Sequence, residues 1–340
     1  MDSKKIISES INFLKIPDVY MYIRQKIVNS HIIIFLYHRI YPNKDNLFAS
    51  YVSPEAFESQ IKYLQKYFKI FSLEKLVNLL KNSKINDEKY KNIAVITFDD
   101  GYKDNYIYAY PILKRNRIPA TIFLTTDYIG EDKLFWWEKV KYIICNTKKG
   151  KINIQDLGEY LLNNNKNKFN CIFELLKKLK KFPSKLKNKY IFILQNICDV
   201  IIPSGLGKEM VLSWDEIREM RDNGISFGAH TKTHPILTNE NLEEAEKEIV
   251  DSKIIIEEQL KVNIKLFAYP NGAYNNKIIK LIKNNGFDCA LSTNQSLINK
   301  YDVDDIYNLP RIEISKGFGK FKIKASGMFS DINSLLTRRE

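Results

Sequence analysis

Two aspartates stand side by side in Thr97-Phe98-Asp99-Asp100-Gly101-Tyr102, where the apolar run from Ile93 to Phe98 ends. That run reads as a buried strand. Neighbouring side chains in a strand point to opposite faces. At a strand end followed by glycine the backbone can turn, and both carboxylates can then reach one place. Close carboxylates repel unless a proton or a cation lies between them. The pair therefore implies a metal, a shared proton or separate roles, or else nothing more than an Asp-Asp-Gly turn. Two of the chain's four histidines form His230-Thr231-Lys232-Thr233-His234, after a second strand-like run at 224–229. A spacing of four puts both imidazoles on one side of a helical turn. Two neutral imidazoles and one carboxylate leave open positions on a divalent metal for water and substrate. The alternative is a pair of ordinary histidines near a loop.

These stretches, together with Phe267-Ala268-Tyr269-Pro270-Asn271-Gly272, resemble the motifs of the polysaccharide deacetylases of carbohydrate esterase family 4, the NodB-homology family. Thr97–Tyr102 is similar to its TFDDG motif, His230–His234 to its H-[ST]-x-x-H motif, and Phe267–Gly272 to the FAYPxG form of its third motif. The resemblance covers residues 30–130 and 210–315. It implies that Asp99 is the catalytic base and that Asp100, His230 and His234 hold a divalent metal, usually zinc, with Co2+, Ni2+ or Mn2+ as alternatives. It also implies that the backbone N–H of Asn271 helps bind the developing oxyanion.

The family's catalytic acid normally comes from a late Leu-x-His strand, yet no histidine follows His234. Some members carry that strand first, and Ile32 to Leu36 followed by Tyr37-His38 fits their order. His38 is then the general acid, the remaining imidazole suited to protonating a leaving amine. His31 precedes the same strand at its other end and is expected to be structural. The family's third motif usually begins with an arginine that orients the catalytic aspartate; Ala268 stands there. Arg311 is the candidate replacement, because a guanidinium suits bidentate contact with a carboxylate. The family's Asp-x-x-Asp-Trp motif is absent, which leaves the acyl pocket unassigned.

The elements that must position these residues alternate strand and helix, which implies βα units and a parallel sheet. At 340 residues and 44% hydrophobic, the chain can build one large core. The expected fold is a (β/α) barrel of seven or eight strands, with its site at the C-terminal strand ends. Ser53-Pro54 and Ser72-Leu73 open helices, and Ser213 with Glu216 forms a capping box. The expected organisation is an N-terminal helical segment (1–29), a deacetylase barrel (30–132 and 211–325), a helical insertion (133–210) and a tail (326–340). Within the insertion, Asn163–Lys168 reads as a polar loop and Phe173–Phe182 as a basic amphipathic helix. Its lysines are either a solvated face or a contact for phosphates or an anionic bilayer.

Cys145, Cys171, Cys198 and Cys289 are widely spaced and read as reduced thiols. Residues 1–29 lack the apolar core of a secretion signal. The expected location is therefore the cytoplasm, peripheral to the inner membrane face. The expected reaction is N-deacylation of an amino sugar in a surface glycan or in its lipid- or nucleotide-linked precursor, with a glycan or glycolipid as partner and no nucleic acid. Deformylation, another C–N hydrolysis on a sugar, and a silent carbohydrate-binding barrel are the alternatives.

Overall fold

Eight short strands run parallel in one curled sheet: β1 (Ile32–Tyr37), β2 (Lys69–Ile70), β3 (Ile93–Phe98), β4 (Ala120–Leu124), β5 (Ile225–Ala229), β6 (Leu266–Ala268), β7 (Cys289–Leu291) and β8 (Ile312–Glu313). The computed structural model describes residues 15–27, 31–42, 51–82, 90–298, 305–314 and 316–337. The strand order is β7-β6-β5-β4-β3-β1-β8, with β2 beside the first residues of β3. Leu309 pairs with Leu291 of β7, and three residues later Ile312 pairs with Phe35 of β1. One chain segment thus touches both edges of the sheet. The architecture is the expected (β/α) barrel, in a deformed form whose closure rests on these short ladders.

Helices on the outside and packed side chains inside bury both faces of the strands, which is why they read as continuous apolar runs. Ile32 and Ile34 of β1, Ile93 and Val95 of β3, Leu266 of β6 and Leu291 of β7 gather in one buried cluster. The alternate residues Ile33, Phe35, Ala94 and Ile96 join another with Phe57, Ile61 and Leu64 of the helix Pro54–Tyr67. Period-two alternation therefore decides which side chains line the interior. Asp99 continues the inward row of Ile93, Val95 and Thr97.

Local chemistry sets the helix ends. Ser53 and Ser72 accept N–H bonds from Ala56 and Lys75, both at 3.2 Å, and Ser213 with Glu216 forms the full capping box. After Tyr102 a π-helical segment, Asn105–Ala109, leads into the helix Tyr110–Asn116. Pro111 lies at the junction, and its missing N–H removes one regular rung.

Residues 133–210 hold the helices Trp136–Asn146, Asn165–Leu179 and Ser184–Cys198, and also an antiparallel hairpin of Lys151–Ile154 with Gly158–Leu161. They pack on their own apolar cluster, which includes Val140, Ile144, Leu175 and Leu194. The polar stretch expected as a loop opens a helix, because the Asn164 side chain accepts the Asn167 N–H at 2.9 Å. At the far end of β1, Arg24 of the helix Ile16–Ile27 pairs with Asp331 of the helix Met328–Thr337 at 2.7 Å. His31 is buried beside Arg24. Residues 1–14 and 338–340 of the two end segments lie outside the described residues. No helix among the described residues is long and apolar enough to cross a membrane.

Candidate active site

Asp100 and Gly101 both adopt left-handed backbone, at φ 74° and 79°. This region is uncommon for aspartate and is often found where a fold holds a functional turn. The turn brings both carboxylates to one nitrogen: His230 Nε2 lies 3.9 Å from Asp99 Oδ2 and 3.6 Å from Asp100 Oδ1. The glycine is also needed for space, since a Cβ on Gly101 would stand 3.1 Å from the side chains of Ile129 and Leu124.

The residues 230–234 are not a helical turn. Thr231 and His234 have φ of 67° and 61°, so the segment is an irregular loop after β5. One local bond and two to a neighbouring helix hold it. The His234 N–H donates to Thr231 Oγ1 at 3.1 Å, and the N–H groups of Lys232 and Thr233 donate to Glu248 Oε2 at 2.9 and 2.8 Å. Glu248 sits on the outer helix Leu242–Leu260 and also accepts the Thr233 hydroxyl at 2.7 Å. Its role was invisible in sequence, where it is one of many charges on a solvent-facing helix. Both imidazoles still converge, with His234 Nε2 3.3 Å from Asp100 Oδ1.

His230 Nδ1 donates to the Ala268 carbonyl at 2.7 Å, which fixes the tautomer and leaves Nε2 as the free lone pair. Burial pushes the His230 pKa down to about 4, against the pull of Asp99 and Asp100. Burial works to raise the Asp100 carboxyl, but the neighbouring His234 outweighs it and holds the group below its ordinary value. Asp100 Oδ1 is buried and accepts no hydrogen bond. One donor atom from each of Asp100, His230 and His234 lies within 4.8 Å of the others. An unpartnered carboxylate oxygen that faces two imidazole nitrogens fits a divalent cation with positions left for water and substrate.

Asp99 is held differently. Arg311, fully buried at 0% exposure, donates Nη1 to Oδ1 and Nη2 to Oδ2, both at 2.7 Å. The Arg311 Nε bonds the Ser292 carbonyl at 3.0 Å, so the fork is fixed from behind. Burial raises the Asp99 carboxyl, Arg311 and then His230 lower it, and the net direction is down. Ala268, at the place of the family's arginine, is buried apolar core.

His38 follows β1 and lines the same cavity, half-buried, with Nδ1 3.9 Å from Glu313 Oε1 of β8. Asn271 is exposed at the mouth of the cavity in left-handed backbone, φ 57°. Gly272 behind it has φ 68°, and a Cβ there would lie 2.0 Å from Thr293 Oγ1. All seven residues named from sequence thus surround one cavity or, for Arg311, back onto it.

The cavity measures about 480 Å³, and one wall belongs to the insertion. Tyr102, the last residue of the aspartate motif, accepts the Trp137 Nε1–H at 2.7 Å and donates to Glu138 Oε1 at 3.0 Å. The Trp137 ring then stands edge-on 4.6 Å from the His234 ring. Trp137 and Glu138 belong to none of the three motifs, and the aromatic pair Trp136-Trp137 is their one signal in the sequence.

The family model described as polysaccharide deacetylase matches residues 86–290. YxkH of Bacillus subtilis (strain 168) is 21% identical over 267 residues, 78% of this chain and 66% of that protein. The poly-beta-1,6-N-acetyl-D-glucosamine N-deacetylase of Staphylococcus aureus (strain MSSA476) is 40% identical over 82 residues, 24% of this chain and 27% of that protein. The chain therefore spans less than two thirds of either relative. Among solved structures, Streptococcus pyogenes deacetylase PplD in complex with acetate superimposes with a TM-score of 0.56 at 21% identity, covering 84% of this chain and 92% of that one.

Proposed function

The chain belongs to the polysaccharide deacetylase family, and we propose that it is a metal-dependent hydrolase that removes an N-acyl group, acetyl in the first instance, from an amino sugar of a surface glycan or of its activated precursor. The observation that carries this reading is the buried Asp100 Oδ1, bonded to nothing and faced by two imidazole nitrogens at 3.3 and 3.6 Å. Asp100, His230 and His234 would hold the cation. When bound, it supplies Lewis acidity toward the acyl oxygen and lowers the pKa of water.

The other roles fall to the chain's own groups. Arg311 keeps Asp99 ionised, so the carboxylate can take a proton from the attacking water. The water oxygen bonds to the acyl carbon, and the Asn271 N–H donates to the oxygen that gains charge. His38 gives a proton to the nitrogen as the C–N bond breaks, and a carboxylic acid and a free amine result. The half-buried setting of His38 supports this assignment, because an acid that serves many turnovers must exchange its proton with solvent. Four free cysteines support a reducing compartment, the cytoplasm, as the place of action.

The test is acetate release from N-acetylglucosamine oligomers by the metal-free protein and by the protein reloaded with Zn2+, with metal content measured alongside. Release that requires bound metal, and that vanishes with metal content in His234→Ala, supports the reading. Metal bound at these residues with no acyl group released from any N-acyl sugar overturns it in favour of a silent barrel.

A further inference from the structure

The wall that the insertion gives to the cavity carries an apolar surface beside its tryptophans. The helix Asn165–Leu179 carries two apolar stripes. Cys171, Leu175 and Leu179 turn inward to the insertion's own core. Phe169, Ile172, Phe173 and Leu176, at helical spacing, line the catalytic cavity; Ile172 also belongs to that core and Leu176 packs against it, so the stripe is the rim of the core turned toward the site. Phe169 is 40% exposed and Phe173 59%, so these two rings present an apolar surface that no described residue buries. Lys180 continues the stripe at the C-terminal end of the helix and also lines the cavity. No described carboxylate lies within ion-pair distance of its ammonium, although Glu313 of β8, which lines the same cavity, is near enough to favour its charge. Residues 133–210 hold sixteen lysines, no arginine and six acidic residues, a net +10 of the chain's +13. An aliphatic and aromatic strip that begins at the metal ligands and ends at an unpaired cation, on a basic lobe, matches an apolar chain joined to a phosphate.

We propose that the substrate is a lipid-phosphate-linked N-acyl amino sugar, whose hydrocarbon chain lies on the Phe169–Leu176 stripe and whose phosphate meets Lys180. The assignment rests on the deacylase reading above and narrows its substrate class. It distinguishes this chain from an enzyme built for long polymers, whose groove would be lined by polar groups and flat platforms throughout. Trp136 and Trp137 lie between the stripe and His234, where the sugar would sit.

Two measurements test it. The first titrates the protein with dodecyl phosphate below its micelle concentration, followed by tryptophan fluorescence, with inorganic phosphate and vesicles of phosphatidylcholine with one quarter phosphatidylglycerol in parallel. The second compares kcat/KM for acetate release from dodecyl-phosphate-linked N-acetylglucosamine and from a soluble N-acetylglucosamine pentamer. Both are repeated on Phe169→Ser/Phe173→Ser, whose changed side chains are exposed and leave the insertion core intact, and on Lys180→Glu. Wild-type protein should bind dodecyl phosphate and not inorganic phosphate, and should favour the lipid-linked sugar. Loss of both rings should weaken dodecyl phosphate binding by about 10–100-fold, since each lost apolar contact is worth about one decade. Equal binding by the double variant, binding to vesicles alone, or a preference for the pentamer overturns the proposal. Dodecyl phosphate binding that depends on the stripe, with no acetate released from either sugar, overturns the deacylase reading and keeps the amphiphile surface.

Discussion

Replacing Arg311 by Met removes the guanidinium that grips the candidate base while keeping an apolar side chain of similar length. In the native protein both Asp99 oxygens accept 2.7 Å bonds from Arg311, and both residues are buried. Removal of one partner strands a charge away from water, which costs about 3–5 kcal/mol of stability. Asp99 relieves that cost by taking a proton. Its pKa, native and below the unfolded value, moves above it in the variant. The sign of the linkage then reverses. In the native protein the Asp99 contribution is present above the unfolded pKa and is lost as pH falls through the folded one. In the variant Asp99 is destabilising at neutral pH, and the penalty shrinks as pH falls. A protonated Asp99 cannot act as base, so kcat at neutral pH should drop by about 10²–10⁴-fold, with activity recovering as pH rises. The assay is acetate release from an N-acetylglucosamine oligomer across pH 5–9 at saturating Zn2+, with thermal unfolding followed at the same pH values. Arg311→Lys keeps a charge without the fork and should fall between. An Arg311→Met protein with a native acid limb and native stability refutes both the ion pair's role and the assignment of Asp99 as base.

Three other perturbations separate the remaining roles. His38→Ala should bind metal normally and lose about 10²–10⁴-fold in kcat with little change in KM, as removal of a general acid does; native turnover sinks His38 as the acid. Glu248→Ala removes the acceptor of two backbone N–H bonds and one hydroxyl bond under the His230–His234 loop. Zn2+ affinity, read by competition with a chromogenic chelator, should fall about 10–100-fold, and an unchanged affinity shows that the loop holds its shape without Glu248. Gly272→Ala puts a methyl group 2.0 Å from Thr293 Oγ1 at φ 68°; the turn that presents the Asn271 N–H must shift, at a cost of about 1–3 kcal/mol. The expected result is lower kcat with metal binding retained, and wild-type kinetics argue against an oxyanion role for that N–H.

Much of the barrel and its corner were legible because the chemistry-bearing residues sit where apolar runs stop. Asp99, Asp100, His38 and His230 all follow strand residues, and strand ends on one side of a parallel barrel are neighbours whatever lies between them in sequence. What escaped depended on distant partners. A four-residue histidine spacing suggests a helical turn, but the left-handed backbone at Thr231 and His234 is stabilised by Glu248, and no local rule anticipates that contact. Asn163–Lys168 has the composition of a loop, and its helix starts there because Asn164 is a good cap and the apolar residues that follow have a core to join. Pro111 carried a legible warning against one continuous helix after Tyr102. The insertion's share of the cavity wall could not be read at all, because nothing in a chain segment announces which of its two apolar stripes will meet another lobe.

Arg311 lies 212 residues downstream of the carboxylate it grips, and it arrives on the same segment that joins the two edges of the sheet. A ribosome delivers the chain from its N-terminus, so Asp100 emerges first, His230 follows 130 residues later, and Arg311 comes 77 residues after His234. The three candidate metal ligands are therefore all present in a growing chain while Asp99 still lacks its counter-charge. The fold ties the counter-charge of Asp99 to its own completion: a chain cut before Arg311 keeps the candidate metal ligands and loses the group that holds Asp99 ionised.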